Sequence, residues 1–120
     1  MTKKTTRAPQ VKAGVAVIVI KDGKVLVGER CGSHGAGVLA FPGGHLDHDD
    51  GSLKRCGERE VFEEIGMIVN VYQPDHYREE LFTTFDILSE DGQKVYVTAY
   101  LVADYLQGGV TMPGSDFDFI

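Results

Sequence analysis

The stretch Arg59-Glu60-Val61-Phe62-Glu63-Glu64-Ile65-Gly66-Met67 sets three carboxylates and a guanidinium close together in the chain. On a helix each residue advances by about 100°. Glu60, Glu63 and Glu64 then share one arc, and Val61, Phe62 and Ile65 fall in another, roughly opposite. One arc is expected to pack on a core while the other presents three carboxylates. Like charges three and four residues apart cost a few tenths of a kcal/mol per pair on an exposed helix. Arg59 can offset part of that by reaching Glu63. A divalent cation would turn the repulsion into ligation, and hard oxygen ligands suit Mg²⁺ or Mn²⁺. For three glutamates taken alone, a solvated acidic helix face is the plain alternative.

The surrounding chain must position that helix. Ser52 is expected to cap it and Gly66 to stop it after Ile65. Upstream, residues 11–20 are β-branched and almost continuously apolar, which predicts a buried strand. Asp22-Gly23 is a hairpin turn, and KVLVGER returns from it as a second strand. A Gly-rich loop, CGSHGAG, leads to a short apolar run from Val38 to Phe41 that Pro42-Gly43-Gly44 breaks. HLDHDDG reads as a polar loop. Beyond the helix, strands are expected near 67–73, 78–88 and 93–106. Glu90-Asp91-Gly92 turns the last two into a hairpin, and Gly108-Gly109 ends the final one. The closing residues, TMPGSDFDFI, show no clear pattern.

With F-P-G-G-H-L before it, R-E-V-x-E-E-x-G-M resembles the Nudix box of MutT-type pyrophosphohydrolases, G-x5-E-x7-R-E-U-x-E-E-x-G-U, where U is aliphatic. The second half is matched at every fixed position from Arg59 to Met67. The resemblance runs from about Gly14 to Gly109. GERCGSHGAGVLAFPGGHL is similar to a eukaryotic subgroup of nucleotide diphosphatases, some of which are described as acting on oxidised or modified purine nucleoside triphosphates.

This resemblance implies a fold and a site. The fold would be α+β: the family's α/β/α sandwich, with a mixed, mostly antiparallel sheet and one catalytic helix. Glu60 and Glu64 would bind the catalytic Mg²⁺ or Mn²⁺. Glu63 would be a further ligand or would orient water. Glu60 is the favoured general base, and Arg59 would fix the glutamates. Gly44 would bring the backbone close to metal or phosphate, which the lack of a Cβ permits. Arg30 would contact substrate, with a plain surface arginine as the alternative. Thr98 matches a substrate-side threonine, with an ordinary strand threonine as the alternative. Water would attack a diphosphate phosphorus, and a nucleoside triphosphate would yield a monophosphate and pyrophosphate. Phe41, Tyr77, Phe82, Phe85 and Tyr96 could stack on a base or simply pack in the sheet.

The sequence departs from the pattern in two places. Five residues lead from Gly44 to Asp50, where the family has glutamate, and eight rather than seven separate Asp50 from Arg59. Counting back from Arg59 puts Gly51 at the acid's position, so one extra residue is read in the loop before the helix. Relatives also usually continue with a Trp-containing strand and a C-terminal helix, whereas this sequence has no Trp and stops at Ile120. The sheet would then lack its usual C-terminal strand and helix, and swapping or forming a homodimer is one way to complete it.

Composition frames these readings. At 120 residues, 42% hydrophobic and 25% charged, the chain matches one globular domain rather than disorder. Residues 1–10 read as a loose basic tail and 11–120 as a single domain, short at its C-terminal end. Lys3, Lys4, Arg7 and Lys12 sit in a start without acids. Removing their charge from the net −6 leaves about −10 on residues 13–120. That disfavours binding to a DNA or RNA backbone and permits a small nucleotide bridged by a cation. No apolar run approaches membrane-spanning length and no apolar signal segment follows the basic start, so a cytoplasmic location is expected. Cys31 and Cys56 lack C-x-x-C spacing and read as two free thiols. His45, Asp47, His48 and Asp49 form a solvated loop in preference to a transition-metal site. A hydrolase is the leading reading. A nucleotide-binding module without turnover and a truncated inactive form are the others.

Overall fold

The computed structural model describes residues 9–29, 39–75, 78–109 and 117–120. Their elements run β1 (Gln10–Lys21), β2 (Lys24–Glu29), β3 (Leu39–Ala40), β4 (Gly43–His45), α1 (Leu53–Ile65), β5 (Met67–Tyr72), β6 (Phe82–Ile87), β7 (Lys94–Gly108) and β8 (Phe117–Phe119). All eight strands join one sheet whose main path is β3-β2-β1-β7-β5.

β1 and β7 are its spine. They pair in parallel from Gln10↔Lys94 to Ile20↔Asp104, and the other pairings are antiparallel. The far edge of β7 is shared: β6 takes Val95 to Tyr100, and β5 takes Val102 to Gly108. The far edge of β1 is shared in the same way between β4 and β2. Asp22 (φ 52°) and Gly23 (φ 76°) make the turn between β1 and β2.

Alternation gives the sheet one buried face. Val15, Val17 and Val19 of β1, Met67, Val69 and Val71 of β5, and Ala99, Leu101 and Ala103 of β7 pack against Cys56, Val61 and Ile65 of α1. Ser52 caps α1 by accepting the Arg55 N–H, and Gly66 (φ 73°) stops it in the left-handed conformation. Lys54 and Glu58 clip the helix to β5: Lys54 Nζ donates to Glu58, Asn70 Oδ1 and the Val71 carbonyl, while Glu58 accepts the Val71 N–H. Among the described residues α1 is the one helix, and no helix is long and apolar enough to cross a membrane.

Three sequence expectations are corrected. Phe62 is 55% exposed rather than core, because it lies about 60° around the helix from Ile65, past the edge of the buried arc. The run before Pro42 does break, with β3 ending at Ala40, but Gly43, Gly44 and His45, the last read as the start of a polar loop, form β4 on β1. Part of the patternless C-terminal segment is β8, which pairs with β2 through Leu26↔Phe119 and Gly28↔Phe117.

Candidate functional site

The site gathers where α1 runs beside β4. Gly44 and Leu46 bond inward to β1, as the Leu46 N–H to the Ala13 carbonyl shows. Among the described residues, no strand lies along the outward edge of β4. Helix side chains take its backbone groups instead. The Gly43 N–H donates to Glu64 Oε1 at 3.2 Å. The His45 carbonyl accepts from Arg59 Nη2 at 3.1 Å and from Cys56 Sγ at 3.6 Å.

Arg59 is the hub. Its Nε and Nη2 hold Asp50 Oδ1 and Oδ2 at 2.6 and 2.8 Å, and its Nη1 reaches Glu60 Oε1 at 2.7 Å and Glu63 Oε1 at 3.1 Å. A planar fork is suited to such a bidentate grip. The side chain of Asp50 is only 5% exposed, against 28% for Arg59. Hydrogen bonding from Arg59, against the opposing effect of burial, holds the Asp50 carboxyl well below the usual carboxylate range. The same bond holds the guanidinium well above its ordinary value. Asp50 also accepts the Asp47 N–H, so it ties the loop to the helix. Gly51, at φ 80°, directly follows it. That left-handed residue turns the chain between Asp50 and the Ser52 cap.

Glu60 and Glu64 meet adjacent residues of β4. A Cβ added to Gly44 would overlap Glu60 Oε2, so only glycine lets the carboxylate lie against the strand. Burial raises the Glu64 pKa first, and the neighbouring Glu60 charge adds to it, while the bond from Gly43 opposes both. These two carboxylates thus sit close enough to repel. Glu63 is turned to Arg59, with its side chain 58% exposed. Among the described residues no three His, Cys, Asp or Glu side chains are gathered as a ready metal cluster. The donor set nevertheless fits a hard cation: Glu60 and Glu64 supply charged oxygens beside a strand that a Cβ would block.

Other sequence candidates scatter. Arg30, Cys31 and Tyr77 lie outside the described residues. Thr98 pairs with Gly14 and Thr84 on the sheet face away from α1, so it does not meet the glutamates. On that face Tyr100 stacks on Phe82 (ring centroids 4.5 Å apart) and meets Phe41 edge-on at 6.4 Å. Phe85 is exposed, and Tyr96 bonds His45. His48 contacts Asp49 in an exposed pair. Cys56 is a buried free thiol, pushed up to about 12 mainly by burial. Sequence reasoning missed Tyr100 and the clamp between Asp50 and Arg59. Tyr100 could have been found from its alternation with Tyr96 and Thr98 along β7.

The sequence model of the NUDIX domain matches residues 10–119. A probable nudix hydrolase of Schizosaccharomyces pombe (strain 972 / ATCC 24843) is 36% identical over 66 residues, which make up 55% of this chain and 21% of that protein. The chain therefore spans about a fifth of the length of that curated relative. The E. coli ORF135 protein superposes with a TM-score of 0.72 at 21% identity, covering 92% of this chain and 74% of the other. A MutT NUDIX hydrolase from Burkholderia pseudomallei gives 0.68 at 23% identity, covering 92% and 82%. At these identities the structural likeness shows the shared fold.

Proposed function

Because the chain belongs to the NUDIX domain family, we propose that it is a metal-dependent hydrolase. It would cleave a diphosphate linkage in a nucleoside-diphosphate-X substrate, foremost a purine or modified purine nucleoside triphosphate, to monophosphate and pyrophosphate. One observation carries the reading. Glu60 and Glu64 face neighbouring residues of β4, and Arg59, itself anchored by Asp50, orients Glu60 and Glu63.

In this mechanism Glu60 and Glu64 would hold Mg²⁺, or Mn²⁺ in its place, and Glu63, bonded to Arg59 in this structure, would be a further ligand or would orient water. The bound cation supplies neutralisation of the diphosphate oxygens and a more acidic water. Arg59 keeps one Glu60 oxygen occupied, which leaves Oε2 at the Gly44 backbone to take a proton from the attacking water. The Gly43-Gly44 backbone lets the phosphate chain approach without side-chain obstruction. Arg30 and Thr98 are proposed as substrate contacts, Arg30 on the phosphates and Thr98 on the face that carries Tyr100. Placement and electrostatics supply most of the rate.

The test is phosphate or pyrophosphate release from a panel of GTP, dGTP, 8-oxo-dGTP and ADP-ribose in Mg²⁺. Glu60→Gln and Glu64→Gln are each expected to lower turnover by at least about 10²-fold. Wild-type protein that is folded yet turns over none of the panel would sink the reading. Tight nucleotide binding without turnover would then favour a binding module. The way Arg59 occupies both Glu60 and Glu63 is the observation on that module's side.

A further inference from the structure

His45 belongs to both sides of the site. Its backbone carbonyl is bonded by Arg59 and Cys56 on the helix side. Its imidazole projects from the opposite sheet face, since His45 pairs with Gly14 while Gly44 pairs with Val15. There Nδ1 lies 3.0 Å from the Tyr96 hydroxyl, with the rings 5.6 Å apart and tilted by 59°. Residue 14 must be small for this bond to form. A Cβ on Gly14 would run into the Tyr96 hydroxyl and lie 2.6 Å from the Gly44 carbonyl oxygen. Burial above all raises the phenol above its ordinary value. The hydroxyl therefore keeps its proton at neutral pH and has one to donate.

Which imidazole nitrogen carries the proton is set by the bond that the other one makes. Resting on the hydrolase reading, we propose that His45 is a substrate-binding residue and that Tyr96 is its positioning residue. The Tyr96 hydroxyl donates to Nδ1, the neutral ring carries its proton on Nε2, and Nε2–H is offered to a phosphate oxygen of the nucleotide. The placement fits that partner. The register sets His45 beside the way from Glu60 and Glu64 to the Tyr100 ring: Gly43, two residues before it, shares a sheet row with Ala16 and Tyr100, and Glu60 lies against Gly44, the residue before it. Tyr96 thus acts without touching substrate: it selects the tautomer and stops the ring from turning its bare nitrogen toward an anion.

The experiment pairs ¹⁵N NMR of the histidine rings in the full chain with steady-state kinetics on GTP and dGTP. The wild-type His45 ring is expected to show the proton on Nε2, and Nε2 is expected to shift when nucleoside triphosphate is added. Tyr96→Phe keeps the ring that packs beside Gly14 but should give a mixture of tautomers. It should also raise KM about fivefold, with a smaller change in kcat. His45→Ala should raise KM at least as much. A wild-type ring protonated on Nδ1 would overturn the proposal, as would an unchanged KM in Tyr96→Phe. Wild-type protein that turns over no nucleotide would count against the hydrolase reading instead. In that case an Nε2 signal unmoved by nucleoside triphosphate would overturn the role of His45.

Discussion

At the scale of single residues, the anchoring of Arg59 sets how well the glutamates are held. Asp50 grips the guanidinium with both oxygens and is itself buried. Replacing it by asparagine should cost about 2 kcal/mol at neutral pH, the worth of a charge-assisted bond lost from a buried site. The cost depends on pH with a definite sign. The folded-state pKa of Asp50 lies below the ordinary aspartate value of 3.8. Its stabilisation is thus complete above that value and is lost as pH falls toward the depressed one. Urea unfolding of wild type and Asp50→Asn should show a gap that is constant near pH 7 and closes below about pH 4. A gap that widens with acid would contradict the assignment. Activity should fall as well, because Arg59 without Asp50 is free to follow Glu63 outward.

At the scale of elements, α1 tests the distinction between buried and exposed apolar side chains. Ile65 is fully buried and Phe62 is not. Thermal or chemical unfolding should find Ile65→Ala about 3 kcal/mol less stable than wild type. Phe62→Ala should lie within about 0.5 kcal/mol of it. The helix itself was legible in the sequence, because the Ser52 cap, the Gly66 stop and the spacing of the glutamates all point to one span. The long strands were legible for a similar reason, since β1 and β7 are rich in β-branched and aromatic residues. β4 and β8 were not. Two of the three residues of β4 are glycines, which carry no side-chain pattern, and both strands exist through pairing with distant chain, His45 with Gly14 and Phe119 with Leu26. The glutamates of the site were readable because their spacing is local. The Asp50 clamp was hidden by a loop count that looked one residue too long, because a count along the chain does not show which loop acid turns to Arg59.

At the scale of the whole molecule, the two pairing edges of β7 bring β1, β5 and β6 into one sheet and so fix α1 over its buried face. A cation that binds Glu60 and Glu64 in the folded state alone must stabilise that entire assembly. By mass action the gain is about 2.7 kcal/mol when free metal is a hundredfold above its dissociation constant. Calorimetry should therefore show the melting temperature rise with added Mg²⁺ and fall back with chelator. The rise should be absent in the Glu60→Gln, Glu64→Gln double variant. The β4 edge carries a further consequence, for solubility. An unpaired strand edge is a template on which another chain can add a strand, and here Glu64 and Arg59 occupy those backbone groups. The side chains that would do chemistry also keep the edge from recruiting neighbours. Glu64→Gln retains an acceptor for the Gly43 N–H, whereas Glu64→Ala bares it. Two equally inactive proteins should then part company in the test tube, the alanine form clouding at concentrations where the glutamine form stays clear.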